Sequence, residues 1–437
     1  MKLKISRILH AGYVFEHDQT QIAFDPIFEN PFSHNCYAFP SVQFDREKIK
    51  KLKFDAVFIS HFHDDHCSME SLVCLHRETP IYMYCVHDEM FDLIKLLGFV
   101  HVYSLKLDQS IMVGSFEIIP RRALDVDVDS IFQIKAGGRN VLNVVDSWID
   151  DATLDLLVEQ GPWDMVLWPF QTMREIEVIA PINALPAPQA LPEEWMSQLK
   201  KLNPRYVVPS SCQFRAESWS WYNQAFFPIS YKHFNQQVTA ALPATKMVRL
   251  NPSVGVELDS LSLVESTALC WMEPVGDQDV DYVYQPYIQP PSTAEIAQHF
   301  AALSDEETHT VYDYCRFGLL EKFRSMDPPA EEYFRVPWGW KLSIYDHNGL
   351  VENFYYQLNE NQIEQVAEEP SLLKWTTEIP LSKLYAGLVF GESLTSMYIR
   401  INAGPEVDIV DDPLIRCLFN GVFGSYQKAQ LKRLNLI

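Results

Sequence analysis

The segment Val57-Phe58-Ile59-Ser60-His61-Phe62-His63-Asp64-Asp65-His66-Cys67-Ser68 places three histidines and two aspartates within six residues, directly after an apolar run. Imidazole nitrogens and carboxylate oxygens together suit borderline divalent cations, zinc first, with iron and manganese next. On the turn that closes a buried strand, such side chains can converge on one point. A cation held there would bring the pKa of a bound water toward neutrality and polarise a carbonyl or phosphoryl oxygen. The chemistry expected is therefore metal-assisted, with hydrolysis as its simplest form.

Written as His-x-His-x-Asp-His, the segment resembles the metallo-β-lactamase superfamily. The resemblance implies that His61 and His63 serve one metal and that Asp65 and His66 serve a second. Two further stretches carry it. Ile22-Ala23-Phe24-Asp25-Pro26 resembles the family's early strand, whose aspartate, here Asp25, orients the histidine loop. Val141-Leu142-Asn143-Val144-Val145-Asp146-Ser147 resembles the later strand whose aspartate, here Asp146, bridges the metals. Asp65 also stands where the family holds the reactive water, which makes it the residue expected to handle the proton. The resemblance spans residues 1–260 and implies a four-layer αββα sandwich acting as a metal-dependent hydrolase.

Within the superfamily the sequence looks closest to L-ascorbate-6-phosphate lactonase-like and CMP-N-acetylneuraminate hydroxylase-like proteins. An iron-dependent oxygenase is accordingly the alternative function. No Cys-x-His pair at iron–sulfur ligand spacing is present, so an oxygenase would need a separate electron-donor protein. A non-catalytic, ligand-binding relative with a degraded metal site is the third reading.

Two departures motivate that third reading. The loop Pro120–Asp129 has no histidine where the family supplies one, and Val208-Pro209-Ser210-Ser211-Cys212-Gln213 has none where a last histidine is usual. Asp125, Asp127 or Asp129 could substitute at the first place, with carboxylates tilting preference toward iron or manganese. Cys212 as thiolate, or His10 at the end of an early strand, could approach the site as well. One metal and two both remain open. The adjacent Arg121 and Arg122 are candidates for binding an anionic group of the substrate bidentately. That substrate is expected to be a small anionic or partly apolar molecule.

The elements that must position these groups are short. Ser6–Glu16 and Thr20–Asp25 read as a hairpin around His17-Asp18-Gln19, and Asp55–Ser60 and Ile81–Cys85 as buried strands. Ser115–Pro120, Ser130–Lys135, Asn140–Val145, Met165–Trp168 and Tyr206–Val208 follow as strands, and Met69–His76 and Glu89–Leu97 as helices. Strands interleaved with helices predict an α/β sandwich. Two proline-rich stretches stand out: 182–192, a long irregular run of the kind that tends to be functional, and 285–291, which marks a boundary in the chain.

The expected division is a metal-binding unit over 1–285 and an α+β accessory domain over 292–437, serving substrate binding or dimerisation. Its order of helices, hairpin, strand and helix resembles sterol-carrier-like domains. It is predicted to begin with helices at Ala294–Leu303 and Glu306–Arg324, the latter capped by Ser304 with Glu307. The strands Trp340–Tyr345, Glu352–Leu358, Trp375–Ile379 and Met397–Asn402 and the helices Leu381–Val389 and Pro413–Leu431 complete it. Trp338, Trp340, Phe354, Tyr355, Tyr356 and Trp375 are expected to fill a core in preference to lining a pocket.

Composition narrows the partners. The 437 residues carry 35 Lys plus Arg against 58 Asp plus Glu, a net charge of −23, which repels nucleic acid and leaves a small-molecule substrate as the expected partner. No apolar window is long enough to span a membrane, and the basic N-terminal residues lead into no secretory h-region. Eight cysteines without a Cys-x-x-Cys pair read as reduced thiols of a cytoplasmic protein. Homo-oligomerisation is left open.

Overall fold

The computed structural model describes residues 2–170, 173–360, 362–419 and 423–437. Two mixed sheets face each other. The first has eight strands in the order Leu263–Ser266, Gly255–Leu258, Leu3–Arg7, Tyr13–His17, Thr20–Phe24, Ala56–Ile59, Ile81–Met83 and Val102–Ser104. The second has seven, in the order Lys246–Met247, Tyr206–Ser210, Met165–Pro169, Arg139–Asn143, Ser130–Ala136, Phe116–Arg122 and Ile111–Val113.

The period of two in strand side chains sorts each strand between two cores. Ala56 and Phe58 point inward, where Phe24 meets Phe132 of the facing sheet at 5.0 Å between ring centroids. Val57 and Ile59 point outward and pack with Met90 and Ile94 of the helix Asp88–Leu96. Leu142, Val166 and Val207 of the second sheet do the same with Leu157, Leu199 and Val238, from the helices Asp151–Glu159, Glu193–Leu202 and Tyr231–Ala241. Two sheets between two layers of helices are the expected α/β sandwich.

Strand direction positions the site. Thr20–Phe24 and Ala56–Ile59 run parallel, with Phe24 opposite Phe58, so Asp25 and Ser60-His61 leave the sheet side by side. Arg139–Asn143, Met165–Pro169 and Tyr206–Ser210 are parallel too, and bring Asp146 and Ser211-Cys212 out at their C-terminal ends. The carboxyl ends of parallel strands are where α/β sheets gather their ligands.

The remainder builds a five-stranded sheet in the order Ile363–Val366, Val351–Leu358, Trp338–Tyr345, Leu373–Pro380 and Arg400–Ala403. Four of its six aromatics are core: Trp340, Phe354, Tyr356 and Trp375 are buried, with Trp340 stacked on Tyr356 at 4.8 Å, whereas Trp338 and Tyr355 are half-buried. Ser304 and Glu307 form the expected capping box. The helix they open passes through one widened turn, Tyr314–Gly318, where the Tyr356 hydroxyl donates to the Cys315 carbonyl at 2.6 Å.

Three helices depart from expectation. Ala294–Leu303 is helical only over Thr293–Ala297, because His299 and Phe300 hydrogen-bond three residues back. Met69–His76 is helical only over Met69–Leu72, because Cys74 and Leu75 hydrogen-bond three residues back and tighten the turn. Pro413–Leu431 is not one helix but Pro413–Phe419 and Ser425–Arg433, the second starting from the left-handed Gly424; residues 420–422 lie outside the described residues. Among the described residues no helix is long and apolar enough to cross a membrane.

A buried carboxyl under the five-stranded sheet supplies a test of this packing. Asp412 caps the helix Pro413–Phe419 through the Leu414 amide at 2.9 Å and accepts the Thr377 hydroxyl. Burial outweighs those hydrogen bonds and pushes its carboxyl up to about 6. A carboxyl raised on folding contributes stability below its unfolded pKa and loses it as pH rises through the folded value. Asp412→Asn is therefore expected to gain stability relative to the parent as pH rises from about 4 to 6, by on the order of 3 kcal/mol at the plateau. Urea unfolding at a series of pH values measures this; a constant difference across that window would refute it.

Candidate metal centre

Asp25, one residue beyond its strand, organises the histidine loop. Its carboxylate accepts the Ser60 amide and the Ser60 hydroxyl, each at 2.7 Å, and the His66 Nδ1–H at 2.9 Å. The Ser60 hydroxyl proton is thus committed to Asp25, and Ser60 Oγ accepts the Nδ1–H of His61 at 3.0 Å. In both rings Nδ1 is committed to these partners, which leaves Nε2 as the atom available to a metal. Those two nitrogens face Asp146: His66 Nε2 lies 3.1 Å from Oδ2 and His61 Nε2 lies 3.9 Å from Oδ1.

Two lobes share Asp146. On one side, His63 Nδ1 is 2.8 Å from His61 Nε2. On the other, Asp65 Oδ1 is 3.7 Å from His66 Nε2. Ligands bound about 2.1 Å from one tetrahedral ion stand roughly 3 to 3.5 Å apart. The observed separations fit that spacing. Although burial disfavours charge, Asp146 and Asp65 raise the His66 imidazole well above its ordinary value, so the point between them attracts a positive charge. Burial likewise opposes ionisation of Asp65 and Asp146, but the surrounding histidines hold both carboxyls below their usual range. Next to them Asp64 is pushed up to about 7 by burial and by the charge of Asp65.

Of the substitutes for the missing histidines, the structure brings three to the site. Asp129 is half-buried, burial pushes its carboxyl up to about 6, and it feels the charges of His63 and Asp146. Its Oδ1 is buried with no hydrogen-bond partner among the described residues. Asp125 and Asp127 are exposed. Cys212 also lies within the field of Asp146 and Asp65, and burial with those carboxylates pushes its thiol well up. His10 is the third, with Nε2 at 3.0 Å from both Asp65 Oδ2 and His66 Nε2. Its Nδ1, however, accepts the Cys212 amide at 3.0 Å, so its proton sits on Nε2 and points at Asp65. His10 thus holds Asp65 in place; its Nε2 has no lone pair for a metal.

The backbone is strained around this point. His10, Asp25, Val145, Ser211 and Cys212 have φ of 48°, 38°, 62°, 49° and 48°. Left-handed conformations of non-glycine residues cost on the order of 1–3 kcal/mol each and collect at functional sites. Val145, a β-branched residue immediately before Asp146, is the least tolerant of them.

Arg121 and Arg122 are not brought to the site. Arg121 is buried and donates to Asp108 at 2.6 Å and to Gln133 at 2.7 Å, while Arg122 pairs with Asp150 at 3.1 Å.

Two groups without any sequence signal do reach the site. Glu175, on the helix Glu175–Ile179, accepts the Thr395 hydroxyl, and burial together with nearby Asp65 raises its carboxyl. Gln427, on the helix Ser425–Arg433, donates to the carbonyls of Phe62 at 2.6 Å and Cys67 at 3.0 Å, bracketing the ligand loop. Gln430 beside it accepts the Met69 amide at 2.6 Å. The C-terminal helix therefore fixes the loop backbone. Gln427→Leu leaves two buried carbonyls without a donor and is expected to lower the unfolding free energy by about 1–3 kcal/mol. A urea titration that superimposes on that of the parent would count against this role.

Neither a protein-family model nor a curated protein matches the sequence. Among solved structures it is similar to Igni18, a metallo hydrolase from Ignicoccus hospitalis, at 19% identity over 59% of this chain and 99% of that one, with a TM-score of 0.41. CmlA, a diiron β-hydroxylase from Streptomyces venezuelae, is similar at 16% identity over 59% of this chain and 53% of that one, with a TM-score of 0.40. The metallo-β-lactamase fold protein YhfI from Bacillus subtilis is similar at 15% identity over 59% and 99%, with a TM-score of 0.39.

Proposed function

We propose that this chain is a metal-dependent hydrolase whose cation is held by His61, His63, Asp65, His66 and Asp146, with Asp129 completing the side that lacks a third histidine. The observation that carries this reading is the orientation of two rings, in which Asp25 and Ser60 engage Nδ1 of His66 and His61 and turn both Nε2 atoms toward Asp146. A cage with no metal to hold has no need of it. When bound, a divalent ion lowers the pKa of water toward neutrality and polarises the substrate's electrophilic oxygen.

The protein's own part is orientation and proton transfer. Asp65, aimed by the Nε2–H of His10 and kept ionised by its histidine neighbours, takes the proton of the attacking water. Glu175, whose carboxyl burial and the charge of Asp65 raise, lies within the field of His63 and Asp65 and accepts the Thr395 hydroxyl. All eight cysteines are free thiols, which supports a cytoplasmic setting.

One observation favours a second reading. With Asp129 added to Asp65 and Asp146 the donor set becomes oxygen-rich, which suits iron and an oxygenase supplied with electrons by another protein. Elemental analysis of protein purified without added metal separates the two. One or two equivalents of zinc or manganese per chain is the expected result. Iron would move the oxygenase reading to the front. Less than about 0.1 equivalent of any metal after reconstitution would overturn both and leave a ligand-binding relative.

A further inference from the structure

We propose that the cleft between residues 181–189 and 284–290 is a second small-molecule site, built for an uncharged ligand with an extended apolar body and a carbonyl-type acceptor. The cleft encloses 490 Å³, within the range of ligand pockets. Its walls are the two proline-rich stretches, with Val178, Leu185, Pro186, Tyr284, Pro286 and Ile288 facing one another across it.

One buried side chain ties the walls together. The Arg174 guanidinium donates to the Tyr284 hydroxyl at 2.6 Å on one side and to the Leu185 carbonyl on the other. Proline restricts both segments, so a ligand entering between them has little chain entropy to freeze. Around the cleft Ile182, Leu185 and Tyr287 are 75%, 72% and 89% exposed, a concentration of apolar surface that a solvated loop would not keep.

The lining also states the ligand's polarity. Arg174 Nε and Trp221 Nε1 are buried N–H donors without a partner among the described residues. Orphaned buried donors call for an acceptor. Arg174 lies 3.4 Å from Glu177, and among the described residues no other charged one lines the cleft, so its local charge is balanced and the chain's net charge of −23 repels anions. A neutral carbonyl acceptor satisfies all three conditions. The cleft borders the helix Glu175–Ile179, with Glu177 and Val178 on it and Arg174 at its N-cap. Its ligand need not be the substrate, and its occupancy is measurable without turnover.

Nile red, an uncharged planar dye with a ring carbonyl, is the probe. Fluorescence titration of the full chain is expected to saturate at one equivalent. Leu185→Glu and Tyr287→Ser, both at exposed positions, are expected to weaken the dye by about tenfold each with unchanged thermal midpoints. Trp221→Phe keeps a ring and removes the donor, and should weaken it by about three- to tenfold. Non-saturable binding to the parent, or parental affinity in any of the three variants, overturns the proposal. Metal content and hydrolysis do not enter these readouts, so the metal-centre reading stands or falls separately.

Discussion

The double variant His61→Ala/His63→Ala is expected to lose the metal held by that lobe, at least one equivalent per chain, and hydrolytic activity with it, by at least about a thousandfold. The two side chains form one lobe of the cage, with His61 Nε2 and His63 Nδ1 only 2.8 Å apart. Neither has a replacement within that lobe except Asp129. A carboxylate alone, shared with Asp146, leaves too few donors to hold an ion against water. Without the ion, the pKa of water stays far above neutrality and the reaction loses its nucleophile at neutral pH. His63 is exposed and His61 is buried, so the structural cost falls on His61. His63→Ala alone controls for it, as it should release metal while keeping the parental circular dichroism and unfolding midpoint. Activity retained in the folded double variant would exclude the mechanism.

Asp25→Asn is expected to weaken metal binding by about 10- to 100-fold without touching a ligand. Asparagine keeps one acceptor oxygen for the Ser60 amide but places an NH2 group where Oδ2 accepted both the Ser60 hydroxyl and the His66 Nδ1–H. His66 then moves its proton to Nε2, the atom that faces Asp146 at 3.1 Å, and Ser60 ceases to hold His61. Folding should suffer by only about 1–3 kcal/mol, because the substitution is isosteric. Competition against a chelator of known affinity measures the first effect and urea unfolding the second. Unchanged metal affinity would show that the tautomers are set elsewhere.

Residues 57–68 declare the histidine loop because an apolar run followed by five potential ligands is readable locally: strand ends are marked by hydrophobic pattern, and ligation requires polar groups there. Asp25 and Asp146 are legible for the same reason, each closing a run of apolar residues that the parallel pairing then sets beside the others. The sandwich follows from the alternation of strands and helices. These features depend on side-chain type and short-range periodicity, which a linear chain carries in full.

What the tertiary structure alone decided are the relations between distant segments. Nothing local separates Asp129 from Asp125 and Asp127; burial beside His63 and Asp146 does. His10 looks like a ligand until the Cys212 amide, 202 residues away, claims its Nδ1 and turns it into a donor to Asp65. Arg121 and Arg122 look free until Asp108, Gln133 and Asp150 meet them. Glu175 and Gln427 look like ordinary surface helix residues, yet their partners come from the opposite end of the chain, Thr395 for one and the carbonyls of Phe62 and Cys67 for the other. Protonation state and hydrogen-bond commitment are properties of a neighbourhood, and packing, not sequence order, assembles the neighbourhood.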